Sequence, residues 1–156
     1  APKKDGKPRY GFPVTGIKEA MATAAARFFN QNKVSIYGTI HLVGEPSVLD
    51  AVYDPELPGI TFSPDDCLEI VGDGGGGPAM RTDMVRNSGI GRTADIRFRA
   101  AFEKWSAVVM VEFKKEFITE ASIVRLLEYA GSMVGLAEWR TEKGGDWGRF
   151  EILKTA

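Results

Sequence analysis

Asp95-Ile96-Arg97-Phe98-Arg99-Ala100-Ala101-Phe102 carries the strand period. Ile96, Phe98, Ala100 and Phe102 fall on one face, and Asp95, Arg97, Arg99 and Ala101 on the other. The expectation is that the apolar face is buried and the arginine face is in water. Glu103–Ser106 reads as a turn and Ala107–Phe113 as a nearly continuous apolar strand, so the two form a hairpin with one central member. A helix is predicted over Glu120–Met133, with Thr119 as N-cap and Gly131 or Gly135 at the C-cap. It buries Ile123, Leu126, Leu127, Ala130 and Val134. A last strand at Trp147–Leu153 makes the succession β-β-α-β, which matches the second part of a ferredoxin-like or RRM-type fold.

Working back toward the N-terminus, Ile17, Ala20, Met21, Ala24, Ala25 and Phe28 have helical spacing, predicting a helix over Gly16–Asn30 capped by Thr15 or Gly16. β-branched and aromatic residues predict a strand at Val34–Val43. Residues 1–13 read as an irregular arm, and the first strand of a ferredoxin-like unit would have to come from residues 8–14, which are weak for it. Pro46, Pro55, Pro58 and Pro64 make 45–66 mostly loop, with a short strand near Ile60-Thr61-Phe62; Leu68–Val71 is another short strand. A glycine-arginine loop then runs to about Thr93. With 156 residues, the expected fold is one α+β domain over 1–156. Its features are a ferredoxin-like/RRM-like antiparallel sheet, two helices on one face, and long Gly/Arg-rich loops.

Charge is segregated although the net charge is −1. Residues 1–44 hold seven Lys/Arg and two acids, residues 45–73 eight acids and no Lys/Arg, and residues 74–104 six Lys/Arg and three acids. Such a chain can offer a basic face to a polyanion or stack on copies of itself. No apolar run approaches the ~20 residues of a membrane span, and the basic start lacks the apolar stretch of a secretory signal. Cys67 is the only cysteine, which excludes an intrachain disulfide and points to a reducing cytoplasm.

The residues for chemistry are sparse. His41 is the only histidine and sits in an apolar strand pattern, where a solvent-facing or sheet-satisfied imidazole is expected. Asp65 and Asp66 would raise the Cys67 pKa rather than activate the thiol. No Cys/His set has zinc spacing, and Asp65, Asp66 and Asp73 read as an exposed acidic loop rather than a cation site. Asp73-Gly74-Gly75-Gly76-Gly77-Pro78 lacks the Gly-Lys-Ser/Thr ending of a phosphate loop. Binding through glycine and arginine is the better expectation, with Arg97 and Arg99 either free for phosphate or paired with Glu112 across the hairpin. Trp105, Trp139 and Trp147 are the candidates for base stacking.

Tyr10-Gly11-Phe12-Pro13-Val14-Thr15-Gly16-Ile17-Lys18-Glu19-Ala20-Met21 resembles the turn into the first helix of RAMP-type RNA-binding proteins, which include backbone subunits of CRISPR effector complexes. Trp139-Arg140 through Gly144-Gly145-Asp146-Trp147-Gly148-Arg149-Phe150 is similar to the C-terminal glycine-rich loop of that superfamily. The whole chain also resembles a family of uncharacterised bacteriophage proteins. That likeness is carried by Pro78-Ala79-Met80-Arg81-Thr82-Asp83-Met84-Val85-Arg86, Ala94-Asp95-Ile96-Arg97-Phe98-Arg99 and Val134-Gly135-Leu136-Ala137-Glu138-Trp139-Arg140.

The residues and the resemblances together lead to the expectation of a non-catalytic, phage-encoded, homo-oligomeric protein that binds single-stranded RNA or DNA without cofactor, metal or membrane, in the cytoplasm of an infected bacterial host. Lys18, Arg81, Arg86, Arg92, Arg97 and Arg99 would contact phosphate. Trp139, Arg140, Lys143 and Arg149 would form a loop against the strand or a neighbour. Two alternatives stand beside this one. In the first, the chain is a self-assembling or partner-binding protein without nucleic acid, its acidic 45–73 segment docking on a neighbour's basic segment. In the second, it is a ribonuclease using His41, as some RAMP-type nucleases use a histidine.

Overall fold

The computed structural model describes residues 3–4, 7–8, 10–44, 67–87, 91 and 93–153. The short strands β1 (Lys3–Lys4) and β2 (Lys7–Pro8) pair with each other. Next comes β3 (Tyr10–Pro13), where an irregular arm was expected. It is antiparallel to β5 (Cys67–Gly72), with Phe12 opposite Leu68 and Pro13 opposite Cys67. Proline is tolerated here because β3 lies at the edge of the three-stranded order β3-β5-β8, so no ladder bond is lost on its open side.

Helix α1 (Val14–Phe28) starts before Thr15 and Gly16, and Pro13 occupies its N-cap position without a side-chain cap. Gly16 has a packing role instead: a Cβ there would lie 2.8 Å from the Phe12 ring. The buried face of α1 is wide and built of small residues, with Met21 at its centre and Val14, Ile17, Ala20, Ala22, Ala24 and Ala25 around it.

The predicted strand at Val34–Val43 is half wrong. Lys33–Thr39 forms a second helix, α2, and only β4 (Ile40–Val43) is extended. Asn32 accepts a hydrogen bond from the Val34 backbone N–H at 2.9 Å, which is a strong helix start. The helix is then held to α1 by Glu19, which bonds Lys33 Nζ at 2.6 Å and the Tyr37 hydroxyl. Ile36 is the one α2 side chain that is buried, while Val34 is exposed, so local capping and tertiary contacts override β-propensity.

The two-stranded hairpin also differs from expectation. Ala79–Arg86 is a strand, β6, inside the predicted glycine-arginine loop, and it pairs along its whole length with β7 (Ala94–Ala101). Alternation of Met80, Thr82 and Met84 with Arg81, Asp83 and Val85 is the period-2 signal, obscured by the four glycines just before it. Beyond β8 (Trp105–Ser106), which pairs with Val71 and Gly72, β9 (Met110–Phe113) is antiparallel to β4 rather than to β7. His41 therefore faces Glu112 in register, and Arg97 and Arg99 have no cross-strand relation to Glu112.

Helix α3 (Glu120–Tyr129) matches expectation: Thr119 Oγ1 accepts from the Ser122 backbone N–H at 3.2 Å. The chain continues through a π turn, Ala130–Val134, to Gly135 at φ +79°. Ile40 and Leu42 of β4, Leu68 of β5 and the buried residues of α1, α2 and α3 make one core, joined by Trp105, Val111 and Phe113. The protein is thus mixed α+β with small antiparallel sheets. No strand forms at Trp147–Leu153; the Phe150 N–H instead donates to Gly131 O at 3.3 Å. No helix among the described residues is long and apolar enough to cross a membrane.

Candidate nucleic-acid interface

Facing residues of β6 and β7 share a sheet face, so the hairpin has two different sides. One side carries Arg81 opposite Arg99 and Asp83 opposite Arg97; the other carries Met80 opposite Ala100, Thr82 opposite Phe98 and Met84 opposite Ile96. The arginine side is the covered one. Asp83 is nearly buried between Arg81 Nε and Arg99 Nη1, each at 2.8 Å. Arg99 Nε also pairs with Glu138 of the C-terminal loop, and the Arg81 guanidinium lies 4.3 Å from the centre of the Trp147 ring. The hairpin and the C-terminal loop therefore meet in space, through the Arg99–Glu138 ion pair and the Arg81–Trp147 contact.

The C-terminal loop that meets them is tightly built. Leu136 N–H donates to Gly148 O at 2.9 Å, Trp147 N–H to Trp139 O at 3.1 Å, and Gly145 N–H to Arg140 O at 3.1 Å. Arg140 grips Glu142 with two nitrogens, both at 3.0 Å, and its Nη1 donates to Ala137 O at 3.1 Å. Arg27 of α1 reaches the other oxygen of Glu142 at 2.7 Å. Trp139 is half exposed, at φ +55° beside Ala137 at φ +58°, an uncommon conformation for residues with a Cβ. In this loop glycine serves close approach of the chain to itself.

The predicted site is accordingly divided. Arg81, Arg99 and Arg140 are committed to internal carboxylates, and Arg97 lies 3.8 Å from Asp95. Arg86 at the far end of β6 and Arg149 on the loop are exposed and have no side-chain partner among the described residues, while Lys143 is exposed beside the charge of Glu142. Arg92, Asp65, Asp66 and the expected strand at 60–62 lie outside the described residues. The expectation that Ile96 and Phe98 are buried is overturned: both are exposed, because the loop covers the opposite side of the hairpin.

Lys18 belongs to a different place. It lines an open cleft of about 370 Å³ where α1, α2, β4 and β9 meet, together with Tyr37, Thr39, His41, Glu112 and Lys114. Lys114 was not singled out in the sequence, because nothing local marks a lysine after a strand as a neighbour of Lys18. Among the described residues no three His, Cys, Asp or Glu side chains gather as a metal site.

The hydrogen bond from Arg99, helped by the charge of Arg81, holds the Asp83 carboxyl below the usual carboxylate range. A carboxylate with a lowered folded pKa contributes stability that is present above its unfolded value, near ~3.9, and is lost as pH falls through the folded one. The hairpin–loop contact should therefore be complete at neutral pH and loosen in acid. Hydrogen exchange of residues 137–149 should accelerate there, beyond its intrinsic pH dependence. Asp83→Asn should show the loosened rates at every pH, and an unchanged acid transition in the variant would show that Asp83 does not hold the loop.

Comparison with protein families, curated proteins and solved structures finds no match for this chain.

Proposed function

We propose that this chain is a non-catalytic, oligomeric protein that binds single-stranded RNA or DNA. The observation that carries the reading is the Lys18–His41–Lys114 cleft. Its two lysines and one imidazole face a single acid, Glu112, in a space open enough for a nucleotide of an extended strand. Neither lysine has an ion-pair partner among the described residues. Lys143 and Arg149 supply further cations for backbone phosphate, and the half-exposed Trp139 offers a stacking surface. With α2 and the strands β5–β8 set aside as insertions, β3, α1, β4, β9 and α3 run in the order of the first five elements of a βαββαβ unit. Strand β4 pairs with β9 as the second and third strands of that unit would, which supports the ferredoxin-like or RRM-like reading and, with it, the RAMP resemblance. The resemblance to bacteriophage proteins supports a site of action in the cytoplasm of an infected bacterial host. His41 lies opposite Glu112, and among the described residues neither Ser nor Cys lines the cleft beside it, so the reading assigns it no catalytic step.

The test is the salt dependence of single-strand binding. Lys18→Ala combined with Lys114→Ala should weaken binding and flatten the log-log slope by about 1.4, since each phosphate contact contributes ~0.7 for single strands. Arg99→Ala removes a guanidinium already committed to Asp83 and Glu138, and should flatten the slope by less than the double lysine variant does. A parent protein that retains neither RNA nor single-stranded DNA at low salt, and purifies with a protein-like 260/280 nm absorbance ratio, refutes the reading. Assembly without nucleic acid then takes its place, a second reading favoured by the exposed apolar side of the hairpin.

A further inference from the structure

The β6–β7 hairpin is paired to no other strand among the described residues. A two-stranded sheet is marginal in water unless something packs on its apolar face. Here the C-terminal loop packs on the polar side, and among the described residues nothing covers the apolar side. Met80, Met84, Ile96 and Phe98 are 75%, 76%, 60% and 66% exposed. They form one stripe, with no charged residue from the Met80–Ala100 pair to the Met84–Ile96 pair. Scattered exposed apolar residues need no explanation, but a continuous stripe of large ones on a sheet face marks an interaction surface.

We propose that this stripe is a two-fold interface with a second copy of the chain, hairpin packed face to face on hairpin with strands antiparallel. The stripe is complementary to itself. A two-fold axis through the Thr82–Phe98 pair sets Phe98 on Phe98 and Met80 against Met84, as an isologous contact requires. Charge selects the same arrangement. Arg86 sits on the apolar side at the far end of β6. At the foot of the hairpin Asp73 and Glu103, with Lys104, line an open cleft of about 400 Å³. Reversing one hairpin on the other brings each Arg86 toward the foot of the second copy, where Asp73, Glu103 and Lys104 together leave an excess of negative charge. A parallel stacking would set Arg86 against Arg86.

This deepens the oligomeric part of the reading above and does not depend on nucleic acid. The parent is therefore sized by light scattering after nuclease treatment, separately from strand binding. It should scatter at no less than twice the 17.0 kDa chain mass at high protein concentration. Phe98→Asp should keep the parent circular dichroism spectrum, since the side chain is exposed, and scatter at half the parent mass or less. Arg86→Glu should raise the dissociation constant by about tenfold, because the exposed pair occurs twice in a symmetric dimer. Adding Glu103→Arg to that variant should restore it. A parent that stays a single chain overturns the proposal, as does Phe98→Asp assembling like the parent. Failure of the double charge exchange to restore association overturns the antiparallel arrangement and the proposal with it.

Discussion

Gly148→Ala is expected to release the C-terminal loop from the body of the protein and to lower the unfolding free energy by about 3 kcal/mol or more. Gly148 has φ +72°, and a Cβ there would lie 1.9 Å from Leu136 O and 2.6 Å from Leu136 N. The obstruction is backbone, so no side-chain rotation relieves it. It falls on the Leu136 N–H to Gly148 O bond, which ties the loop to a buried residue. If the chain shifts to make room, Trp147 leaves the Arg81 guanidinium and the bond from Phe150 N–H to Gly131 O is strained. Gly144→Ala is the internal control, with φ +79° but open space around the new methyl group. It should cost about 1 to 2 kcal/mol, the left-handed conformation alone. Urea denaturation of both variants checks the difference; equal costs would mean that the close approach at Gly148 is not what holds the loop.

The second large effect lies in the core. Met21 is completely buried on α1, between Ala20 and Ala22 and one turn from Ala24 and Ala25, all themselves buried. Alanines have no side-chain freedom with which to close a void, so Met21→Ala should leave most of the lost volume empty. The expected cost is about 3 to 4 kcal/mol. Met21→Leu keeps the volume and should cost less than about 1.5 kcal/mol. Thermal and urea unfolding read both. A Met21→Ala variant within 1 kcal/mol of the parent would show that α1 and the Ala130–Val134 turn can move together to fill the space.

Local chemistry in the sequence determined several elements. Thr119 and the spacing of Ile123, Leu126, Leu127, Ala130 and Val134 define α3 and its buried stripe, because capping and periodicity act within a few residues. The same holds for α1, whose alanines tolerate helix and close packing alike, and for the extended conformation of 95–101. The sole cysteine excludes an intrachain disulfide for a similar reason: folding cannot supply a second thiol.

Only the tertiary structure decided the rest. Val34–Thr39 turned helical because Glu19, fifteen residues upstream of Val34, holds Lys33 and Tyr37. Tyr10–Pro13 became a strand because β5 offered it an edge. Alternation along 95–102 fixes which residues share a face but carries no information on which face is covered. That depended on Glu138, thirty-nine residues beyond Arg99, and Trp147, sixty-six beyond Arg81, which reach the two arginines across space and leave Ile96 and Phe98 to solvent. The fate of the arginines follows the same rule. A guanidinium binds phosphate or carboxylate with one geometry, and Asp83, Glu138 and Glu142 came within reach of Arg81, Arg99 and Arg140 once the chain had folded.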